Sequence, residues 1–347
     1  MSDFRGLSRE AYCDDAVYAE ERQRIFRSCW HYVGATDQLK GSGDYLTDCL
    51  GEAQVLVCNA GDDGLQAFLN VCLHRCHEVA AGHGTAASLR CRYHGWTYSL
   101  NGRLLRAPGW SPNDGESPRL HTLPLARWGP LVFICPGEPR IPFDEWFEPI
   151  AHSLTEMGLD ADCLEFERRD PWSFRANWKV GIENFLECYH CPATHAEMAR
   201  HIDVKRNAVR LIGNRWTSTQ IAHPQRHAEN IFAPFDPLSE ARYHYLWPTT
   251  TITVNPGSPS LLINSWRPND ARRTDGFEDS FFGPAVAPTK RAALIAYSTH
   301  IGEEDNALVE SVQRGIQSLE ATSIRLDGDE ECLIAHFHQL VKEAMTS

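Results

Sequence analysis

Apolar residues along the chain change rhythm twice. Between Asp14 and Cys29 they fall at Val17, Tyr18, Ile25 and Phe26, with acidic residues early, which predicts an amphipathic helix. From Gly41 to about Pro136 the pattern becomes short apolar runs, Gln54–Cys58, Leu65–Val71 and Leu131–Cys135. Turn signals separate them: Gly61-Asp62-Asp63-Gly64, and Asn101-Gly102, which predicts a hairpin. This is the texture of a small antiparallel β domain. Pro136, Gly137, Pro139 and Pro142 mark a boundary. Beyond it, Leu211–Gln220, Tyr243–Trp247, Thr249–Asn255 and Ser260–Trp266 read as strands, and Trp178–Tyr189 and Glu303–Leu319 as helices. The expected class is α+β, in three parts. Residues 1–36 form a helical segment packing on the last domain, 37–140 the β domain, and 141–347 a larger domain with an antiparallel sheet and long helices.

Composition narrows the classes of function. A chain of 347 residues suits two domains. A net charge of −13 argues against a nucleic-acid or anionic-membrane partner. No run approaches the roughly 18 apolar residues that span a bilayer. The opening MSDFRGLSREAYCDD lacks the basic and apolar regions of a signal peptide, so a cytoplasmic protein is expected. Twelve cysteines at irregular spacing then imply reduced thiols and a metal site rather than a disulfide framework.

The metal chemistry has two foci. Cys72 and His74 form C-x-H, and Cys91 and His94 form C-x-x-H. Two thiolates and two imidazoles, one of each per loop, are the donors of a Rieske [2Fe–2S] cluster. A structural zinc of Cys₂His₂ type ordinarily pairs Cys with Cys and His with His. Cys76, beside the first loop, reads as a buried thiol that does not pair. Between the loops, Gly82-His83-Gly84-Thr85-Ala86-Ala87 imitates a dinucleotide fingerprint outside any βαβ unit, and reads as a connecting loop. The chain then has no nicotinamide site of its own, and electrons arrive from a partner. The second focus holds Glu187, His190 and His195. Glu187 and His190, three apart, share a helical face, and Pro192 ends that helix. Two imidazoles and one carboxylate suit Fe(II) with open positions for O₂. The residues leave the carboxylate open: Glu304 and Asp305 both stand in what reads as an acidic helix start, where acids favour the dipole whatever else they do.

Both sites, in this order, resemble the Rieske ring-hydroxylating oxygenase family over nearly the whole chain. Gly95-Trp96-Thr97-Tyr98 behind the second loop and Asn70 before the first add to the likeness. The resemblance implies an N-terminal Rieske domain and a helix-grip (START-like) catalytic domain. It implies Asp305 as third iron ligand, since an aspartate precedes a glutamate (here Glu310) by five residues in the family's C-terminal helix. It implies a homotrimer in which Glu187, replacing the usual aspartate in a segment one residue shorter, bridges His190 to His94 of the next subunit. Electrons would come from NAD(P)H through a separate flavin or ferredoxin-type reductase. Glu187-Cys188-Tyr189-His190-Cys191 and Glu331–His338 resemble the branch acting on quaternary ammonium compounds. The expected reaction is O₂-dependent hydroxylation, N-demethylation or C–N cleavage of a small quaternary or N-methylated amine. The alternatives are hydroxylation or dioxygenation of an aromatic acid or ring, and an electron carrier without catalysis. A trimethylammonium group calls for ring faces. Phe185, Trp216, Tyr243, Tyr245, Trp247 and Trp266 are the candidates.

Overall fold

The computed structural model describes residues 4–111, 113, 118–204, 209–227, 229–235, 237–320 and 323–346. The chain divides into two units: residues 26–140, and a second made of 1–25 together with 141–347. The expected 1–36 segment is thus divided between them.

The described residues of 26–140 form three small antiparallel sheets. Ala53–Asn59 is central to the largest, between Asp44–Leu50 and Leu65–Leu69. Val55 and Val57 enter one core with Val33, Val132 and Ile134, while Leu56 and Cys58 enter another with Phe68, Leu89 and Tyr98. A strand buried on both faces shows no polar alternation, which is why it reads as an unbroken apolar run. The hairpin at Asn101-Gly102 joins Thr97–Tyr98 to Leu104–Arg106. Gly102 has φ +85°, and a Cβ there would stand 2.6 Å from the Phe68 ring, so glycine is required. His83–Thr85 is an edge strand paired with Asp44–Leu46 rather than a loop, because its amides complete that sheet.

The second unit is built on a seven-stranded antiparallel sheet. Its order is Glu165–Phe174, Arg273–Phe282, Ser260–Asp270, Thr250–Val254, Ala241–Leu246, Thr217–Ala222 and Val209–Ile212. The strand expected over Leu211–Gln220 is therefore two strands. Gly213 and Asn214 turn the chain between them, with Asn214 bonding Trp216 and Thr217. Helices Phe143–Glu156, Trp178–Phe185, Pro288–Ser318 and Cys332–Thr346 are the longer ones of 141–347. The segment from Tyr12 to Glu21 docks here through buried polar groups. Lys179 Nζ donates to Glu21 at 2.5 Å, Trp178 Nε1 donates to the same carboxylate at 2.8 Å, and Tyr12 donates to Glu183 at 2.6 Å. Helix Asp15–Arg24 is capped by Asp14, whose side chain accepts from Ala16 N.

Two expected helices differ. The first ends at Phe185 rather than Tyr189: Leu186 closes it, and the Glu187 carboxylate then accepts the amides of Tyr189 and His190, capping the turn that follows. The second begins at Pro288, fifteen residues before Glu303, with the proline in its first turn. Asp305 thus lies mid-helix, away from the terminal dipole.

Candidate metal centres and active site

In the β unit the four expected cluster residues come together. Cys72 and Cys91 are buried, and the amides of Tyr93 and His94 point at the Cys91 sulfur. Tyr98 Oη lies 3.3 Å from Cys72 Sγ and accepts from Leu73 N. The rings of His74 and His94 are exposed, with centroids 4.5 Å apart, and Trp96 stacks on His74 at 5.1 Å and 5°. Two buried sulfurs facing two surface imidazoles fit a cluster with one thiolate-bound and one imidazole-bound iron. Cys76 is free, as expected, but exposed rather than buried, because it occupies a turn at φ +56° that points it outward.

In the second unit, His190 Nε2 and His195 Nε2 are 3.1 Å apart, and Asp305 Oδ1 lies 3.4 Å from the first and 3.0 Å from the second. Three donors bound at right angles, each about 2.1 Å from one ion, stand about 3 Å apart. The triangle therefore fits a mononuclear iron with one face left open. The far nitrogen of each ring meets a second carboxylate. His190 Nδ1 donates to Glu187, and His195 Nδ1 donates to Glu304 at 2.7 Å. This separates the two acids that the sequence left in competition. Adjacent helical residues point about 100° apart, so Asp305 joins the donor triangle while Glu304 stands behind His195. No pattern in the sequence marks Glu304 for that place. Burial opposes charge on His190, but Asp305 and Glu187 outweigh it and push its pKa up to about 9. His195 is raised in the same way, burial again being overcome by Asp305 and Glu304. A site that raises imidazole basicity is one that attracts a cation.

The triangle borders a cavity of about 630 Å³. Phe185, Tyr243 and Trp266 line it, as do Trp172, Phe174 and Tyr297, which the sequence did not single out. Trp216, Tyr245 and Trp247 are not among its lining residues. Tyr245 and Trp247 instead pack on Phe337. One cysteine pair departs from the expected reduced state: Cys188 and Cys191 form a disulfide across Tyr189-His190, their Cα atoms 4.9 Å apart, because the turn after Phe185 folds the two together. Among the described residues no other cysteine is in a disulfide.

The chain matches the Rieske [2Fe-2S] domain over residues 29–124, and the ring-hydroxylating alpha subunit (catalytic domain) over 159–347. It is 31% identical to the choline monooxygenase of Amaranthus tricolor, over 94% of this chain and 75% of that one. It is 29% identical to the carnitine monooxygenase oxygenase subunit of Escherichia coli, over 96% and 91%. The structure of the quaternary ammonium Rieske monooxygenase CntA in complex with L-carnitine superposes with a TM-score of 0.84 at 27% identity, covering 98% and 96%. Fold and sites together define a Rieske non-haem iron oxygenase, with a [2Fe–2S] cluster and a mononuclear iron as cofactors and O₂ as cosubstrate. The chain belongs to the ring-hydroxylating oxygenase alpha-subunit family. As a terminal oxygenase it takes a small-molecule substrate and draws electrons, ultimately from NAD(P)H, through a separate protein. Among the described residues no helix is long and apolar enough to cross a membrane.

Proposed function

We propose that the chain hydroxylates a small quaternary or N-methylated amine at a carbon bonded to nitrogen, so that the C–N bond then breaks. The observation that carries this reading is the donor triangle of His190, His195 and Asp305 set beside an aromatic cavity of about 630 Å³. The named relatives act on choline and carnitine.

Cys72, His74, Cys91 and His94 hold the cluster, and His190, His195 and Asp305 hold the iron. When bound, the cluster delivers electrons singly and the iron activates O₂. The protein's own groups do the rest. Glu187 and Glu304 fix the tautomers of His190 and His195 so that both Nε2 lone pairs face inward. The rings of Trp172, Phe185 and Trp266 exclude water and offer faces to an onium group. Once a carbon next to the ammonium carries a hydroxyl, loss of its proton forms the carbonyl. The C–N bonding pair leaves with nitrogen, giving an aldehyde and a tertiary amine. Glu187 also bridges the iron-side His190 to His94 of a neighbouring subunit in a homotrimer, the route by which the electron crosses. A flavin or ferredoxin-type reductase is the donor, and the setting is cytoplasmic.

The test reduces the protein without oxygen, adds nitric oxide, and records the electron paramagnetic resonance of the iron nitrosyl. Trimethylammonium compounds should shift that signal and aromatic acids should not. The reverse result would discard the amine reading. In parallel, Glu187→Ala should abolish turnover in protein kept saturated with iron, where both metals are bound despite a weaker hold on the iron, and retained turnover would discard the bridge.

A further inference from the structure

Two neighbouring rows cross three strands of the catalytic sheet and face the cavity. In the first, Trp172 and Trp266 are both register partners of Gly276. A Cβ on Gly276 would stand 2.3 Å from the Trp172 ring, so only glycine lets the two indoles meet over it, edge to face at 5.4 Å. Phe174 stacks on Trp172, and Phe185 meets Trp266 edge-on. Two residues along each strand, hence on the same face, lies the second row. Asp170 and Asn264 are there the register partners of Glu278.

The second row is chemically unusual. Asn264 Nδ2 donates to Glu278 Oε2 at 2.9 Å, and Ser298 Oγ donates to the same oxygen at 2.8 Å. Asn264 Oδ1 accepts from Trp172 Nε1 at 2.9 Å, which locks the amide and ties the two rows together. Among the described residues nothing bonds Glu278 Oε1. Asp170 gives one oxygen to Arg168, and its other, buried, has no partner among the described residues. No lysine or arginine is among the described residues that line the cavity. Burial, with Asp170 and Asp279 adding to it, holds the Glu278 carboxyl above the usual range. Asp170 is paired with Arg168, whereas Glu278 has no cation beside it among the described residues; an uncompensated carboxylate so placed is costly, and a positive charge brought by a ligand removes the cost.

We propose that Glu278, with Asp170 beside it, is the anionic end of the substrate cavity and seats the substrate's cationic nitrogen between its free oxygen and the indoles of Trp172 and Trp266. A quaternary ammonium has no N–H to donate. It is held by charge and ring faces alone, and this corner supplies both. The assignment rests on the amine reading above and deepens it: the cation is read by the sheet, and the bond to be cleaved is presented from there to the donor triangle.

Calorimetric titration of the anaerobic, iron-replete holoenzyme tests it. The tightest binder among choline, carnitine and glycine betaine is paired with its carba analogue, in which a quaternary carbon replaces nitrogen. Wild type prefers the charged ligand. Glu278→Gln, which can keep the bonds to Asn264 and Ser298, should weaken the charged ligand by at least about 30-fold and leave the carba analogue unchanged. Asp170→Asn should give a smaller loss in the same direction, and it carries the test if Glu278→Gln does not fold. An unchanged preference in either variant that is relied on, or equal loss of both ligands, overturns the assignment while the amine reading stands. If wild type binds none of the three ammonium compounds, both fall together.

Discussion

Behind each iron-side imidazole stands a carboxylate, Glu187 at His190 and Glu304 at His195, and this doubling governs how the metal is held. In the metal-free protein His190 titrates at about 9 and His195 is also raised. A raised folded-state pKa means that the protonated ring stabilises the fold below the ordinary value of about 6.5. That contribution is lost as pH climbs through 9. Iron must displace the same protons. Apparent iron affinity, measured against a competing chelator, should therefore keep rising by up to about tenfold per unit from pH 7 to 9. The thermal midpoint of the metal-free protein should fall over that interval while that of the loaded protein holds. A plateau in affinity above pH 7 would refute the strength assigned to Asp305, Glu187 and Glu304 together. The four residues expected to hold the cluster and the two histidines expected to hold the iron could be picked out because ligand chemistry restricts residue type and spacing. Glu304, Glu278 and Trp172 were not, since their roles depend on which neighbour each faces, and composition carries no trace of that.

Among the elements, the strands Gln54–Cys58 and Leu131–Cys135 were readable because each is a short apolar run between turns. Helix limits were less so. The helix begun at Trp178 closes at Leu186, and Glu187 caps the turn after it with its own side chain, an event that propensity does not register. The long helix starts at Pro288, where only Leu294 and Ile295 of its first half are buried, so no apolar stripe announces it. Helix Asp15–Arg24 meets helix Trp178–Phe185 through Glu21 and Lys179, both fully buried at 0% exposure. Removing one partner strands the other charge. Glu21→Ala should cost about 3–5 kcal/mol in denaturant unfolding, and Glu21→Ala with Lys179→Met should recover much of it. A loss below 1 kcal/mol in the single variant would show that water reaches the pair.

At the scale of the whole molecule, the two metal centres lie in units with separate cores. His190→Ala should therefore lower iron content to that of the cluster alone and leave the cluster's resonance spectrum unchanged. Joint loss of both would show that the units depend on each other to fold. The catalytic unit is also assembled from both ends of the chain, and this sets an order of events during synthesis. Glu21 leaves the ribosome 158 residues before Lys179, roughly 8–30 s earlier at cellular elongation rates. In that interval the whole β unit emerges and can close its own sheets. Tyr12 and Tyr18 meet their partners, Glu183 and the carbonyl of Pro268, only when the second half of the catalytic unit has been made.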